Sequence, residues 1–331
     1  MFKALTRMSG LLLTALLSFH AQAAVYHCTD TAGHLTLQDR PCAPGMTSSG
    51  GPGPSPSPRP SPHLIMWHVT GPRGSADLLG SLHFGVPAMY PLAAAITDAF
   101  AAAGALVVET DLTKLGPEEM AQAVAEKALY PNGETLSHAL TPDARRELDR
   151  VLAQFGVPPQ LVEHQKPWFV SMTLTSLALR RFGFDEQLGI DNHFLARAKG
   201  RKPIIELETF RQQLDFLDGF SAADQEVMLR ETFDDINKGK QFLAEMLSAW
   251  RRGDAGRIDE LMNREMRDGS DADRRMYRVL LVQRNRAMTD AIDRLLGYGG
   301  RYFVVLGAAH FVGDDGIVSA LRERGYRVEK Y

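Results

Sequence analysis

Two histidines and a glutamate stand where they could hold a divalent metal ion. Gly80-Ser81-Leu82-His83 and Gly307-Ala308-Ala309-His310 each place a histidine three residues after a glycine. Both run on into Phe and a further Gly, as His83-Phe84-Gly85 and His310-Phe311-Val312-Gly313. Glu109 directly follows the apolar run 105–108, with Asp111 close behind. Imidazoles and a carboxylate together suit a first-row divalent ion that keeps positions open for water or substrate. Such an ion brings the pKa of its water toward neutrality and readies it to attack a carbonyl. In that chemistry His83 and His310 are ligands, and Glu109 is a ligand or the general base. A single histidine in such a place is more often a hydrogen-bonded structural residue. The pair beside Glu109 favours ligation.

Arg284 and Asn285 are the second clue. They lie at the edges of an apolar stripe of Leu281, Met288, Ile292 and Leu295, at helical spacing. A partly buried guanidinium needs carboxylate or anion partners, because burying an isolated charge is costly. Arg284 therefore either pins a helix through an Arg–Glu pair or faces a developing oxyanion in the same cleft.

The elements that must position these residues follow from the periodicity. Strands are expected at 64–69, 76–82, 105–108, 203–207, 302–306 and 326–330. Helices are expected at 91–103, 142–155, 168–181, 191–198, 222–237, 240–251, 271–296 and 316–324. Strands separated by helices predict an α/β domain with a largely parallel central sheet and long helical insertions. Ligands of such sheets bind beyond the carboxyl ends of the strands. Four of the expected strands lead there to His83, Glu109, Glu206 with Glu208, and His310. One rim of the sheet collects them.

Composition narrows the function. The chain has 331 residues, 44% of them hydrophobic, with a formal net charge of -3. That is apolar enough for a sizeable core and lacks the basic surplus of a nucleic-acid-binding protein. No His-Glu-x-x-His, Gly-x-Ser-x-Gly, Gly-x-x-x-x-Gly-Lys-Ser/Thr or Gly-x-Gly-x-x-Gly occurs. Ordinary zincins, serine esterases and nucleotide-binding folds have no support.

Residues 1–23 read as a secretory signal: Lys3 and Arg7, an apolar run, then Ala21-Gln22-Ala23. The apolar run is shorter than the roughly 20 residues of a spanning helix, so the processed chain is expected to be periplasmic or secreted, without a transmembrane segment. Loss of Lys3 and Arg7, with no acid, takes the formal charge from -3 to -5. In an oxidising compartment Cys28 and Cys42, the only two cysteines, are expected to form a disulfide, worth about 3 kcal/mol for a loop of this size. Residues 24–42 form a small stapled module with two short strands around Ala32-Gly33. Its Tyr26, Cys28, Asp30, Gly33, Asp39, Pro41 and Cys42 resemble a module at the start of many exported bacterial proteins. Residues 43–62 hold seven of the 18 prolines and read as a Pro/Ser/Gly linker.

Further stretches run in order along residues 63–331. They include Trp67-His68-Val69, Tyr90-Pro91-Leu92, Val107-Val108-Glu109-Thr110-Asp111, Lys166-Pro167-Trp168 and Gly189-Ile190-Asp191. Lys202-Pro203-Ile204-Ile205-Glu206-Leu207-Glu208-Thr209, Gln213-Leu214 and Arg284-Asn285-Arg286-Ala287-Met288 follow. With the two glycine–histidine motifs, this set resembles the TraB/PrgY/GumN family. That family is related to the Tiki metalloproteases and, more distantly, to haem-binding ChaN and the erythromycin esterases. The resemblance implies a fold of that kind and a metal-dependent hydrolytic site of His83, His310 and Glu109, with manganese, cobalt or zinc as the ion. Arg284 matches the arginine of the family's Arg-Asn motif. Gln283 stands before it where many relatives carry an acid, which leaves Glu206 and Glu208 as partners for Arg284. Glu206, Glu208, Asn285 and Asp191 are the expected supports of the site.

The expected function is an exported, peptidase-like, metal-dependent hydrolase acting on a peptide or small molecule. The alternatives are a binding or regulatory protein for a peptide, signal or haem-like ligand, and an accessory protein of polysaccharide export.

Overall fold

The computed structural model describes residues 63–331 except Asn132, together with the backbone of three short strands ahead of them. Strands β1 (Tyr26–Thr29) and β2 (Leu35–Gln38) pair antiparallel, Tyr26 opposite Gln38. Strand β3 (Thr47–Ser48) joins the other side of β1, Cys28 opposite Ser48. The hairpin matches its sequence pattern, whereas β3 falls within the stretch that composition assigns to linker. The signal segment 1–23 and the Cys28–Cys42 bridge lie outside the described residues.

The large unit is built on a six-stranded sheet. Its strands are β4 (Met66–Thr70), β5 (Gly74–Ser81), β6 (Ala105–Val108), β7 (Ile204–Glu206), β8 (Gly300–Gly307) and β9 (Arg327–Lys330). They lie in the order β7-β6-β8-β5-β4-β9. The first four in that order run parallel, and β4 is antiparallel to both β5 and β9. The fold is α/β with a mostly parallel sheet. The antiparallel pair has a local cause: β4 and β5 are joined by a tight turn in which the Gly71 N–H donates to the Gly74 carbonyl, and so short a connection cannot return a parallel strand. Strand β6 is buried throughout and β5 over its last six residues, as strands covered on both faces must be.

The helices follow their end signals closely. Pro142–Phe155 is capped by Thr141, whose side chain accepts from the Ala144 N–H, and stopped by left-handed Gly156. The expected break at Lys238-Gly239-Lys240 does not occur: Ala222–Arg251 is one helix. Phe233 and Ile236 bury in one apolar cluster ahead of Gly239, and Phe242, Leu243 and Met246 in another beyond it. That burial outweighs the roughly 1 kcal/mol a mid-helix glycine costs. Trp250 ties the helix to the sheet by donating to the Gly80 carbonyl at 2.7 Å. Pro117–Ala128 and Phe210–Asp218 are further helices outside the expected set.

Residues 271–298 form a nearly continuous helix whose turns widen over 278–283, just before Arg284. Its buried stripe runs through Leu281, Met288, Ile292 and Leu296, so Leu295 sits at the edge. No helix among the described residues is long and apolar enough to cross a membrane.

Candidate functional site

Three neighbouring parallel strands carry the central residues. Ser81 of β5 lies opposite Gly307 of β8, and Val108 of β6 opposite Val305 of β8. His83, His310 and Glu109 therefore leave the carboxyl ends of adjacent strands into one buried space. Their exposures are 5%, 0% and 1%, and that of Arg284 is 1%.

Each histidine is held from behind. Asp191, at the start of the helix Ile190–Ala198, meets His83 Nδ1 at 2.8 Å and accepts the Ser81 hydroxyl, which lies 2.8 and 2.9 Å from its two oxygens. Burial pulls the His83 pKa down, but Asp191 beside it outweighs this and holds it above its ordinary value. His310 Nδ1 lies 2.5 Å from Asn285 Oδ1. Asn285 Nδ2 donates to the Asp315 carbonyl at 2.8 Å, which fixes the amide with its oxygen toward the ring. That oxygen only accepts, so the ring proton sits on Nδ1 and Nε2 keeps a lone pair. Burial, with the nearby charges of Arg284 and His83, drives the His310 pKa well below its ordinary value. His310 is neutral.

Glu109 is gripped at both oxygens. Oε1 accepts the Gly307 N–H at 2.7 Å, and Oε2 accepts from Arg284 Nη2 at 2.8 Å. Burial raises its pKa more than Arg284 and His83 lower it, and Glu208 adds to the rise. Arg284 also donates to Glu208 through Nε and Nη2, and to the Leu280 carbonyl through Nη1. Burial works against its charge, and Glu109 and Glu208 restore it. The fork is thus committed to two carboxylates, the Arg–Glu alternative, with a single Nη1 hydrogen left over.

The supports divide. Asp191, Asn285 and Glu208 surround the center. Glu206 does not: it accepts the Asp111 N–H at 3.0 Å and lies 3.4 Å from Lys114, at the partly exposed edge of the sheet. Ser81, the Asp315 carbonyl, the Gly307 N–H and Asn263, which donates to the Ala309 carbonyl at 3.2 Å, were not singled out from sequence. Ser81 and Gly307 carried a signal, inside the two glycine–histidine motifs. The rest act through backbone atoms or an ordinary amide.

Two atoms stand out. Nε2 of His83 and Nε2 of His310 are buried and have no hydrogen-bond partner among the described residues. Both face Glu109 Oε1, at 4.0 and 3.6 Å. Among the described residues, no group of three or more His, Cys, Asp or Glu side chains is already arranged as a metal cage. The donor chemistry nevertheless fits a divalent ion. Two imidazoles are anchored through Nδ1, as metal-binding histidines are, and offer Nε2 toward one carboxylate.

A mostly parallel α/β sheet with a buried His–Glu–His cluster at its strand ends, braced by an Arg–Asn pair, defines the class of protein. The chain belongs to the TraB/PrgY/gumN family, whose model matches residues 65–330. A second family model, a domain of unknown function named DUF4124, matches residues 12–63. The protein YbaP of Shigella flexneri is 27% identical over 249 residues, 75% of this chain and 88% of its own. YbaP of Escherichia coli (strain K12) is 27% identical over 247 residues, 74% and 87% of the two chains. A Treponema pallidum (strain Nichols) protein is 23% identical over 276 residues, 78% and 80% of the two. YbaP and the Treponema protein are described only as uncharacterized. No solved structure matches the chain.

Proposed function

We propose that this protein is a metal-dependent hydrolase acting on peptide-like amides, with its center at His83, His310 and Glu109. The observation that carries the reading is the pair of buried, unpartnered Nε2 atoms facing one carboxylate oxygen. A lone pair buried 3.6 Å from a carboxylate oxygen is unfavourable unless a proton or a cation lies between them. His83 and His310 would hold manganese, cobalt or zinc beside Glu109, and the ion would lower the pKa of its water.

The chain's own residues supply the rest. Glu109, its pKa raised by burial, is suited to take a proton from the attacking water and return it to the leaving amine. Arg284 and the Gly307 N–H hold that carboxylate in one orientation. Asp191 and Asn285 orient the two rings. Residues 1–23 support a periplasmic or secreted location, with the module 24–42 and linker 43–62 ahead of the hydrolase.

The test is metal analysis of the purified protein beside a His83→Ala/His310→Ala variant. Peptide-library cleavage under manganese, cobalt or zinc, with His310→Ala as control, accompanies it. Metal bound by the wild type alone, and cleavage lost in His310→Ala, are expected. Equal metal content in both proteins overturns the site assignment.

A further inference from the structure

Gln213 lies beside the ion network without belonging to it. It is 1% exposed, on the first turn of the helix Phe210–Asp218. Its Nε2 lies 3.4 Å from Glu208 Oε2, and Glu208 holds Arg284, which holds Glu109. Paired with a guanidinium, Glu208 is a carboxylate and can only accept, so Gln213 must turn its NH2 group toward it. That fixes the other end of the amide. Oε1 is a buried acceptor, and it has no hydrogen-bond partner among the described residues.

Buried carbonyl oxygens are nearly always paired, and each exception calls for an explanation. Its chemistry narrows what can pair with it. An amide oxygen only accepts, so its partner must bring a hydrogen, and an anionic acceptor group cannot serve. A neutral N–H donor satisfies Oε1 without adding charge. Peptide substrates carry such a donor at every residue other than proline.

We infer that Gln213 accepts a hydrogen bond from a backbone N–H of the bound peptide and so sets its register against Glu109. The inference rests on the hydrolase reading. It makes Gln213 a specificity residue: a peptide whose matching N–H is replaced by an ester oxygen leaves Oε1 unpaired in the complex, and the site rejects it.

The test uses the full chain and a fluorogenic peptide that it cleaves. A set of analogues replaces one backbone N–H at a time with an ester oxygen. In the wild type, one analogue is expected to lose about tenfold or more in kcat/KM. In Gln213→Met, of similar length but without the acceptor, that particular penalty disappears while the other analogues keep their relative values. Should Gln213→Met not fold, Gln213→Lys keeps a donor toward Glu208 and lacks the acceptor in the same way. An equal loss for the parent peptide and every analogue means a purely structural role and overturns the inference alone. A wild type that cleaves no library peptide under any of the three metals overturns the hydrolase reading, and this inference with it.

Discussion

Gly189 runs so close to His83 that a Cβ on it would sit 2.2 Å from the His83 carbonyl oxygen. Two residues on, Asp191 holds the His83 ring, and between them the Ile190 N–H donates to the Leu82 carbonyl. The contact therefore sets the distance from helix to histidine. Gly85 makes the reverse approach, with a Cβ placed 2.0 Å from the Leu188 oxygen. Both obstacles are backbone and cannot swing aside. Gly189→Ala should cost about 1–3 kcal/mol and weaken metal binding. Gly297→Ala, inside the helix Arg284–Tyr298 with open space around it, should be neutral or slightly stabilising. Urea unfolding of the two variants checks the contrast; equal effects would refute the close-approach argument.

Arg284 neutralises two buried carboxylates at once. Arg284→Met leaves Glu109 and Glu208 facing each other without a cation, an expected loss of about 3–5 kcal/mol. Adding Glu208→Gln removes one of the stranded charges, so the double variant should be more stable than the single. Arg284→Lys should rescue only part, since a point charge cannot serve both carboxylates as the planar fork does. Calorimetric melting of the four proteins reads the coupling directly. A double variant less stable than Arg284→Met would contradict it.

Much of this center was legible in the chain, for reasons that differ by residue. His83, Glu109 and His310 follow apolar runs, and a run of buried residues ending in a polar one marks the carboxyl end of a strand. Glu206 and Glu208 were indistinguishable as partners for Arg284, because both lie near the end of the same strand. The chain turns after β7, sending Glu206 to Lys114 and Glu208 inward. Periodicity has no access to such a turn. Nor does it bring Asp191, 108 positions from His83, beneath the ring: the family resemblance marked Asp191 as a support, and tertiary packing makes the contact. The continuity of Ala222–Arg251 through Gly239 has the same origin: local propensity argued for a break, and burial on both sides removed it.

Asn285 governs which nitrogen of His310 is available. Asn285→Leu removes the acceptor for Nδ1–H, frees the ring to rotate or change tautomer, and leaves the Asp315 carbonyl without its donor. On the metal reading, affinity should fall by about 10- to 100-fold, with the fold retained by circular dichroism. Competition with a chromophoric chelator measures it. Unchanged affinity would mean that the amide does not act through His310.

Asp77 sets an acid-sensitive part of the stability, far from the strand ends that carry the center. It is fully buried in β5, where it meets His68 Nδ1 and the Tyr331 hydroxyl, each at 2.7 Å, and Arg301 at 3.0 Å. Burial pushes its pKa up, but the hydrogen bonds from Tyr331, His68 and Arg301 outweigh this and hold it below the ordinary 3.8. Burial, with the same contact to Asp77 adding to it, pushes the Tyr331 hydroxyl up to about 12. Because the folded pKa is the lower one, the unfolded chain takes up its proton first as the pH falls. The stabilisation is complete above the ordinary carboxylate range and drains away as the pH drops through the folded value. Asp77→Asn should therefore cost about 2 kcal/mol at neutral pH, and the gap from wild type should narrow toward about pH 3. Urea midpoints of both proteins across that range decide it, and a gap that stays constant would show that the carboxylate's charge is not what these three partners hold.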